Sequence, residues 1–202
     1  MARVVAVSGV PGSGKSTLCA GLVNVLGDAV SLSMDDYQQM TAMDPGALQR
    51  WVYAGADVDA LPIPLLADHL AALRAGHAVQ DPRSGRTIEP PGTIVFETHF
   101  GRLHRATGAH IDHLLWLDLP PDAALARNLR GFLAPLLVAP SSPAKLRWID
   151  NSLAHYLGPV GPLVRRHADW VGRGADCVLD AAQSEAELLA RAVAYLRAAA
   201  GY

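Results

Sequence analysis

Apolar residues along this chain alternate between short unbroken runs and stretches of helical period, which predicts strands and helices in turn. Arg3-Val4-Val5-Ala6-Val7-Ser8 reads as a buried strand, after which Leu18, Leu22, Val25 and Leu26 fall at helical spacing. Further strand-like runs cover Ala29 to Met34, Thr93 to Phe96, His113 to Leu119 and Ala175 to Leu179. Between them, Pro64 to Ala75 predicts a helix with Leu65, Leu66, His69, Leu70 and Leu73 on one face and Gly76 as its stop. Pro120-Pro121-Asp122 opens another helix after the fourth run. Breaks at Pro140 to Pro143 and at Pro159 to Pro162 bracket helical stretches at Lys145 to Leu157 and Leu163 to Trp170. Ser184-Glu185-Ala186-Glu187 has the form of a capping box, opening a terminal helix that runs to about Ala200. Five strands alternating with helices predict a parallel α/β sandwich.

The joint between the first strand and helix is Gly9-Val10-Pro11-Gly12-Ser13-Gly14-Lys15-Ser16-Thr17. It has the G-x-x-x-x-G-K-[ST] form, with glycines where the backbone must curl and approach a ligand closely. A loop of this kind turns backbone N–H groups and the positive end of a helix toward a nucleotide's phosphates. Lys15 then reaches the β and γ groups, and Ser16 offers its oxygen to Mg²⁺.

Ligands of open parallel sheets bind at the carboxyl ends of the strands, so acids there are candidates for chemistry. Asp35-Asp36-Tyr37 ends the second run and Glu97-Thr98-His99 the third. Asp35 is expected to project toward the phosphate site and its metal, and it or Asp36 also suits the cap of a short helix. Glu97 has the position of an acid that holds Mg²⁺ directly or through water. His99, His104, His110 and His113 cluster in sequence but match no compact zinc spacing, and only His99 is kept as a site residue. Arg127 and Arg130 share a helix face and suit a lid that closes over phosphates. The segments at about 36–63 and 80–92, rich in Pro and Gly, are expected to run over the acceptor side, with a lid at about 121–150. Val79 to Arg86 alone reads as a hairpin. Tyr37, Asp57, Asp81, Arg83 and His99 are the acceptor-side candidates. Asp169-Trp170-Val171-Gly172 matches a D-x-x-G pattern with no strand leading into it, and is discounted.

Length and charge narrow the partners. The 202 residues fit one domain, with or without a small lid. A net charge of −2 gives no electrostatic footprint for nucleic acid or an anionic membrane, so a hydroxylated small molecule is the expected partner. Lysine occurs only at 15 and 145, neither within an Asn/Thr-Lys-x-Asp guanine-reading element, which disfavours a GTPase of the Ras type. Cys19 and Cys177 sit in apolar surroundings and read as core residues of a reducing compartment, and no leader or spanning run is legible, so a cytoplasmic protein is expected. The sequence leaves a homodimer open.

Taken in order, GVPGSGKST, SMDDY, Arg74-Ala75-Gly76, QDPRSGRT, IVFE and HLLWLDLPPDAALARNLR resemble the uridine kinase and phosphoribulokinase-like branch of P-loop kinases. The resemblance covers residues 3 to 132 and the strand around Asp176-Cys177-Val178. It implies a P-loop NTPase three-layer sandwich with strand order 2-3-1-4-5 and a helical lid. It also implies ATP- and Mg²⁺-dependent phosphorylation of a small-molecule hydroxyl, with Asp35 as base, Ser16 and Glu97 on the metal, and Arg127 and Arg130 in the lid. The chain departs from that pattern at Thr98-His99 in place of Gly-Ile, at Asn128 and Gly131 in the arginine-rich segment, and at Gln80-Asp81 in place of Tyr-Asp. The acceptor could equally be a nucleoside, a sugar, pantothenate, glycerate or another small alcohol. A nucleotide-dependent switch or assembly ATPase that acts on a protein partner is the reading from a different class.

Overall fold

The structure, a computed structural model, describes residues 1–37, 45–61, 63–138 and 143–200. Its centre is a parallel sheet of β1 (Arg3–Gly9), β2 (Ala29–Ser33), β5 (Thr93–Glu97), β6 (His113–Asp118) and β7 (Cys177–Asp180). The spatial order is β2-β5-β1-β6-β7. Counting only these five strands, that is 2-3-1-4-5, the order expected from the resemblance. Val4 to Val7, Ile94 to Phe96, Leu114, Leu115 and Leu117 are almost wholly buried, as the unbroken apolar runs of a sheet covered on both faces require.

Register brings the carboxyl ends together. Glu97 of β5 lies opposite Val7 of β1 and Ser33 of β2, and Gly9 lies opposite Leu117 of β6. Helix α1 (Lys15–Leu26) packs on β1, β2 and β5, and meets α8 (Glu185–Ala200), which packs on β7. Helix α7 (Gly161–Arg173) lies against β1 and β6, with Val171 and Gly172 close to Leu114, Trp116 and the loop at Gly101. No helix among the described residues is long and apolar enough to cross a membrane.

The remaining elements refine the periodicity. Helix α3 (Pro64–Arg74) buries Leu66, Leu70 and Leu73, but Leu65 is 46% exposed, so the expected apolar face is narrower by one residue. A residue directly beside Leu66 points about 100° away from it around the helix. Val79–Gln80 (β3) and Thr87–Ile88 (β4) form the antiparallel hairpin. Helix α2 (Pro45–Tyr53) and the single turn α4 (Arg105–Gly108) were not legible in the pattern. Residues 38–44, 62 and 139–142, which belong to the expected excursion and lid, lie outside the described residues.

Helix α5 (Pro121–Val138) is longer than the lid arginines alone suggested, and carries Pro135 in its second half. The expected break at Pro159 to Pro162 is present as a kink between two helices, with the turn Tyr156–Val160 lying between α6 (Pro143–His155) and α7. Gly158 alone leaves helical geometry, at φ −87° and ψ −123°. It precedes Pro159, whose ring disfavours the helical conformation in the residue before it, while Pro162 falls in the first turn of α7, where its missing N–H is no loss. The capping box is present: Ser184 N and Oγ both donate to Glu187 Oε2, at 3.0 and 2.6 Å, and Glu187 N donates back to Ser184 Oγ at 3.3 Å.

Candidate active site

The turn from β1 into α1 closes on itself before it faces anything else. Ser13 N donates to Val10 O at 3.1 Å, and Gly14 caps α1 with φ 96°. Gly12 also has positive φ, and a Cβ there would stand 2.3 Å from Ala124 O on α5, so only glycine lets helix and loop approach this closely. Lys15 is buried, with Nζ donating to Gly9 O at 3.0 Å and Val10 O at 3.3 Å. Burial pushes its pKa down, while the Glu97 and Asp35 carboxylates act in the opposite direction. The first turn of α1 carries no acidic residue, so its positive end is left for an anion.

Glu97 closes the other side. Its Oε1 accepts a 2.9 Å hydrogen bond from Ser16 Oγ. A hydroxyl and a carboxylate side by side form the hard-oxygen donor set that Mg²⁺ takes when phosphates and water complete its shell. Among the described residues no three His, Cys, Asp or Glu side chains gather into a cage, and Mg²⁺ bound through phosphates does not need one. Lys15, Ser16, Thr17, Glu97, Arg127 and Asn128 line a cleft of about 500 Å³. A second cavity of about 440 Å³ shares Gly12, Gly14, Thr17 and Arg127 with it and is walled by Leu18, Leu188 and Leu189.

On the β2 side the cap is neither aspartate but Ser33, whose Oγ accepts from Asp35 N at 3.3 Å. A single turn of 3₁₀ helix, Met34–Asp36, then presents both acids. His99 Nε2 lies 3.0 Å from Asp35 Oδ1, and Arg83 of the hairpin donates to Asp36 Oδ1 at 2.7 Å. Tyr37 Oη and His69 Nδ1 are hydrogen-bonded at 3.0 Å. Burial, with Asp81 and Asp36 nearby, pushes the Tyr37 hydroxyl up to about 12. Asp81 accepts from Ser84 N and Arg83 N, bonds that fold the hairpin tip and hold its carboxylate below the usual range.

The candidates therefore divide. Lys15, Ser16, Asp35, Glu97 and His99 converge at one end of the sheet, and Arg83 and Tyr37 reach its rim. Asp57 is exposed and caps the turn Val58–Ala60 by accepting from Asp59 N. Arg127 lines both cavities, with Nη1 donating to Ala181 O at 2.8 Å, whereas Arg130 lines neither. Asn128 stands in the cleft instead. The pairing of His69 with Tyr37 had no sequence signal, since 32 residues separate them. Two of the clustered histidines are occupied elsewhere: His104 caps α4 and His113 lies 3.4 Å from Tyr195 Oη.

This parallel sheet with helices packed on it, and with the phosphate loop between β1 and α1, is the α/β fold of a P-loop NTPase. No protein-family model matches the chain, and no curated protein matches it. Solved structures are similar to it, among them three with a TM-score of 0.49 each. A possible uridine kinase from Bacillus stearothermophilus is 20% identical, over 89% of both chains. An unliganded sugar kinase from a Janibacter species is 17% identical, over 98% of this chain and 96% of that one. A gluconokinase from Sinorhizobium meliloti is 15% identical, over 98% and 94%.

Proposed function

We propose that this protein transfers the γ-phosphoryl group of ATP to a hydroxyl of a small nucleoside- or sugar-like molecule, with Asp35 as the base. The observation that carries the reading is the convergence of Lys15, Ser16, Glu97 and Asp35 at the carboxyl ends of three adjacent strands. Phosphoryl transfer demands positioning and charge neutralisation more than covalent chemistry, and each part has a residue to supply it.

The loop from Gly9 to Thr17 holds the phosphates through backbone N–H groups, and Lys15 turns from the carbonyls of Gly9 and Val10 to the β and γ oxygens. The leucine-walled cavity beside the loop suits the base of the nucleotide. Ser16 and Glu97 would hold Mg²⁺, which would supply positive charge to neutralise the phosphates. Arg127 and Asn128 face the cleft from α5 and add donors to the phosphates, with Arg130 farther along the same helix. Asp35 accepts the proton of the acceptor hydroxyl as the γ group moves to it. Tyr37, Arg83 and Asp81, grouped around the neighbouring Asp36, are the acceptor contacts of this reading.

The test is ADP release with Mg²⁺-ATP across nucleosides, sugars, gluconate, glycerate and pantothenate, with mass spectrometry on each hit. A compound that gains one phosphate supports the reading and names the acceptor. ADP release raised by no compound, but raised by a protein from the same cell, would replace it with a nucleotide-dependent switch.

A further inference from the structure

We infer that His99 is a positioning residue for Asp35, and that it fixes the carboxylate through Oδ1 rather than binding the acceptor. The inference rests on the phosphotransfer reading for its purpose, and on geometry alone for the contact. His99 Nε2 and Asp35 Oδ1 are 3.0 Å apart, joined across 64 residues of sequence. With Asp35 as a carboxylate, its oxygens only accept, so Nε2 carries the proton and donates.

The two partners differ in how firmly they are held. His99 sits in a turn pinned on both sides: Thr98 N donates to Val7 O at 3.0 Å, and Phe100 N donates to Thr98 Oγ1 at 3.2 Å. Thr98 and Phe100 are buried, and the Phe100 ring meets the His99 ring edge-on at 6.2 Å and the His167 ring at 5.6 Å. The imidazole thus has a fixed root and a packed flank, and its side chain is 29% exposed. Asp35 lies in a one-turn 3₁₀ segment, with its side chain 52% exposed. A half-exposed carboxylate on a short turn samples several rotamers unless something rigid holds it. His99 supplies such a hold on Oδ1. A base held at one angle to the incoming hydroxyl preserves the orientation on which transfer depends, where a misplacement of about 1 Å lowers the rate by about 10²-fold.

The test compares His99→Phe, which keeps a ring against Phe100 but loses the donor, with His99→Gln, whose amide nitrogen reaches about where Nε2 lies. Melting curves first establish that both fold. Crystal structures of the two then report the Asp35 carboxylate, and kinetics use the first of uridine, D-glucose, D-gluconate or pantothenate to gain phosphate. The expected result is that Asp35 moves by about 1 Å or more, or divides among rotamers, in His99→Phe but not in His99→Gln. With it, kcat falls about 10- to 100-fold in His99→Phe, with KM for ATP unchanged, and His99→Gln recovers most of the loss. An unmoved Asp35 in His99→Phe overturns the inference, whatever the kinetics. So does a rise in acceptor KM at constant kcat, which would make His99 an acceptor contact. If Asp35 moves as expected but the wild-type protein phosphorylates none of the four, the contact stands and the catalytic purpose given to it falls with the phosphotransfer reading.

Discussion

Ser16 and Glu97, 81 residues apart, meet through a 2.9 Å hydrogen bond from the serine hydroxyl to the carboxylate. One belongs to the first turn of α1 and the other to the last residue of β5, and the register of β5 beside β1 and β2 brings them together. In the proposed reaction, removing either oxygen weakens the same Mg²⁺ position. Ser16→Ala and Glu97→Gln are each expected to lower Mg²⁺-dependent transfer by about 10²-fold, on the scale of losing one preorganised electrostatic contact. The double variant should then lose little more than either single one. Titration of Mg²⁺ in a coupled assay checks this, and fully multiplicative losses would separate the two residues.

In the proposed reaction Lys15 and Asp35 serve different ends. Lys15→Ala is expected to lose both ATP binding and transfer, whereas Asp35→Asn should retain ATP binding and lose most transfer. Calorimetry with ATP, alongside product analysis, reads both. An equal loss of ATP affinity in the two variants would contradict the division of roles.

Gly12 and Gly14 both have positive φ, but their surroundings differ. A Cβ at 12 meets Ala124 O at 2.3 Å, while one at 14 finds nothing within 4 Å. Gly14→Ala should therefore suffer only backbone strain, about 1–2 kcal/mol. Gly12→Ala must also push α5 off the loop, and should melt lower and bind nucleotide more weakly. Thermal melts with and without ATP distinguish them.

Neighbouring leucines on α3 test the packing. Leu66 is fully buried and Leu65 is 46% exposed. Leu66→Ala is expected to cost about 2–5 kcal/mol by chemical denaturation, and Leu65→Ala about 0.5 kcal/mol or less.

His167 on α7 is buried between Phe100 and Trp170. Burial, and after it the Arg166 charge, push its pKa down, so it is held neutral in the fold. The unfolded chain takes up this proton near the ordinary value of about 6.5. Stability from the neutral ring is thus present above that pH and is lost as pH falls from there through the depressed folded value. His167→Leu should flatten the fall in melting temperature between pH 7 and pH 5, measured against the wild-type protein. An unchanged slope would mean that other histidines, such as His104 and His110, carry it.

The sequence by itself determined the alternation of strand and helix, the glycine-rich turn that joins β1 to α1, and the acids at the ends of the second and third major strands. These signals are local: a strand buried on both faces is apolar throughout, and a phosphate loop needs its glycines, lysine and hydroxyl in one order. Leu65 marks where period alone fails, because a helix face has an edge that only the neighbouring elements define. The strand order followed from the resemblance and not from any run of residues. Tertiary structure decided which partners meet. Arg83 reaches Asp36, Tyr37 meets His69, Asn128 rather than Arg130 lines the cleft, and His99 takes hold of Asp35. Each of these depends on side chains brought side by side by parallel crossovers tens of residues long, and no periodicity within one segment encodes what lies opposite it in the next.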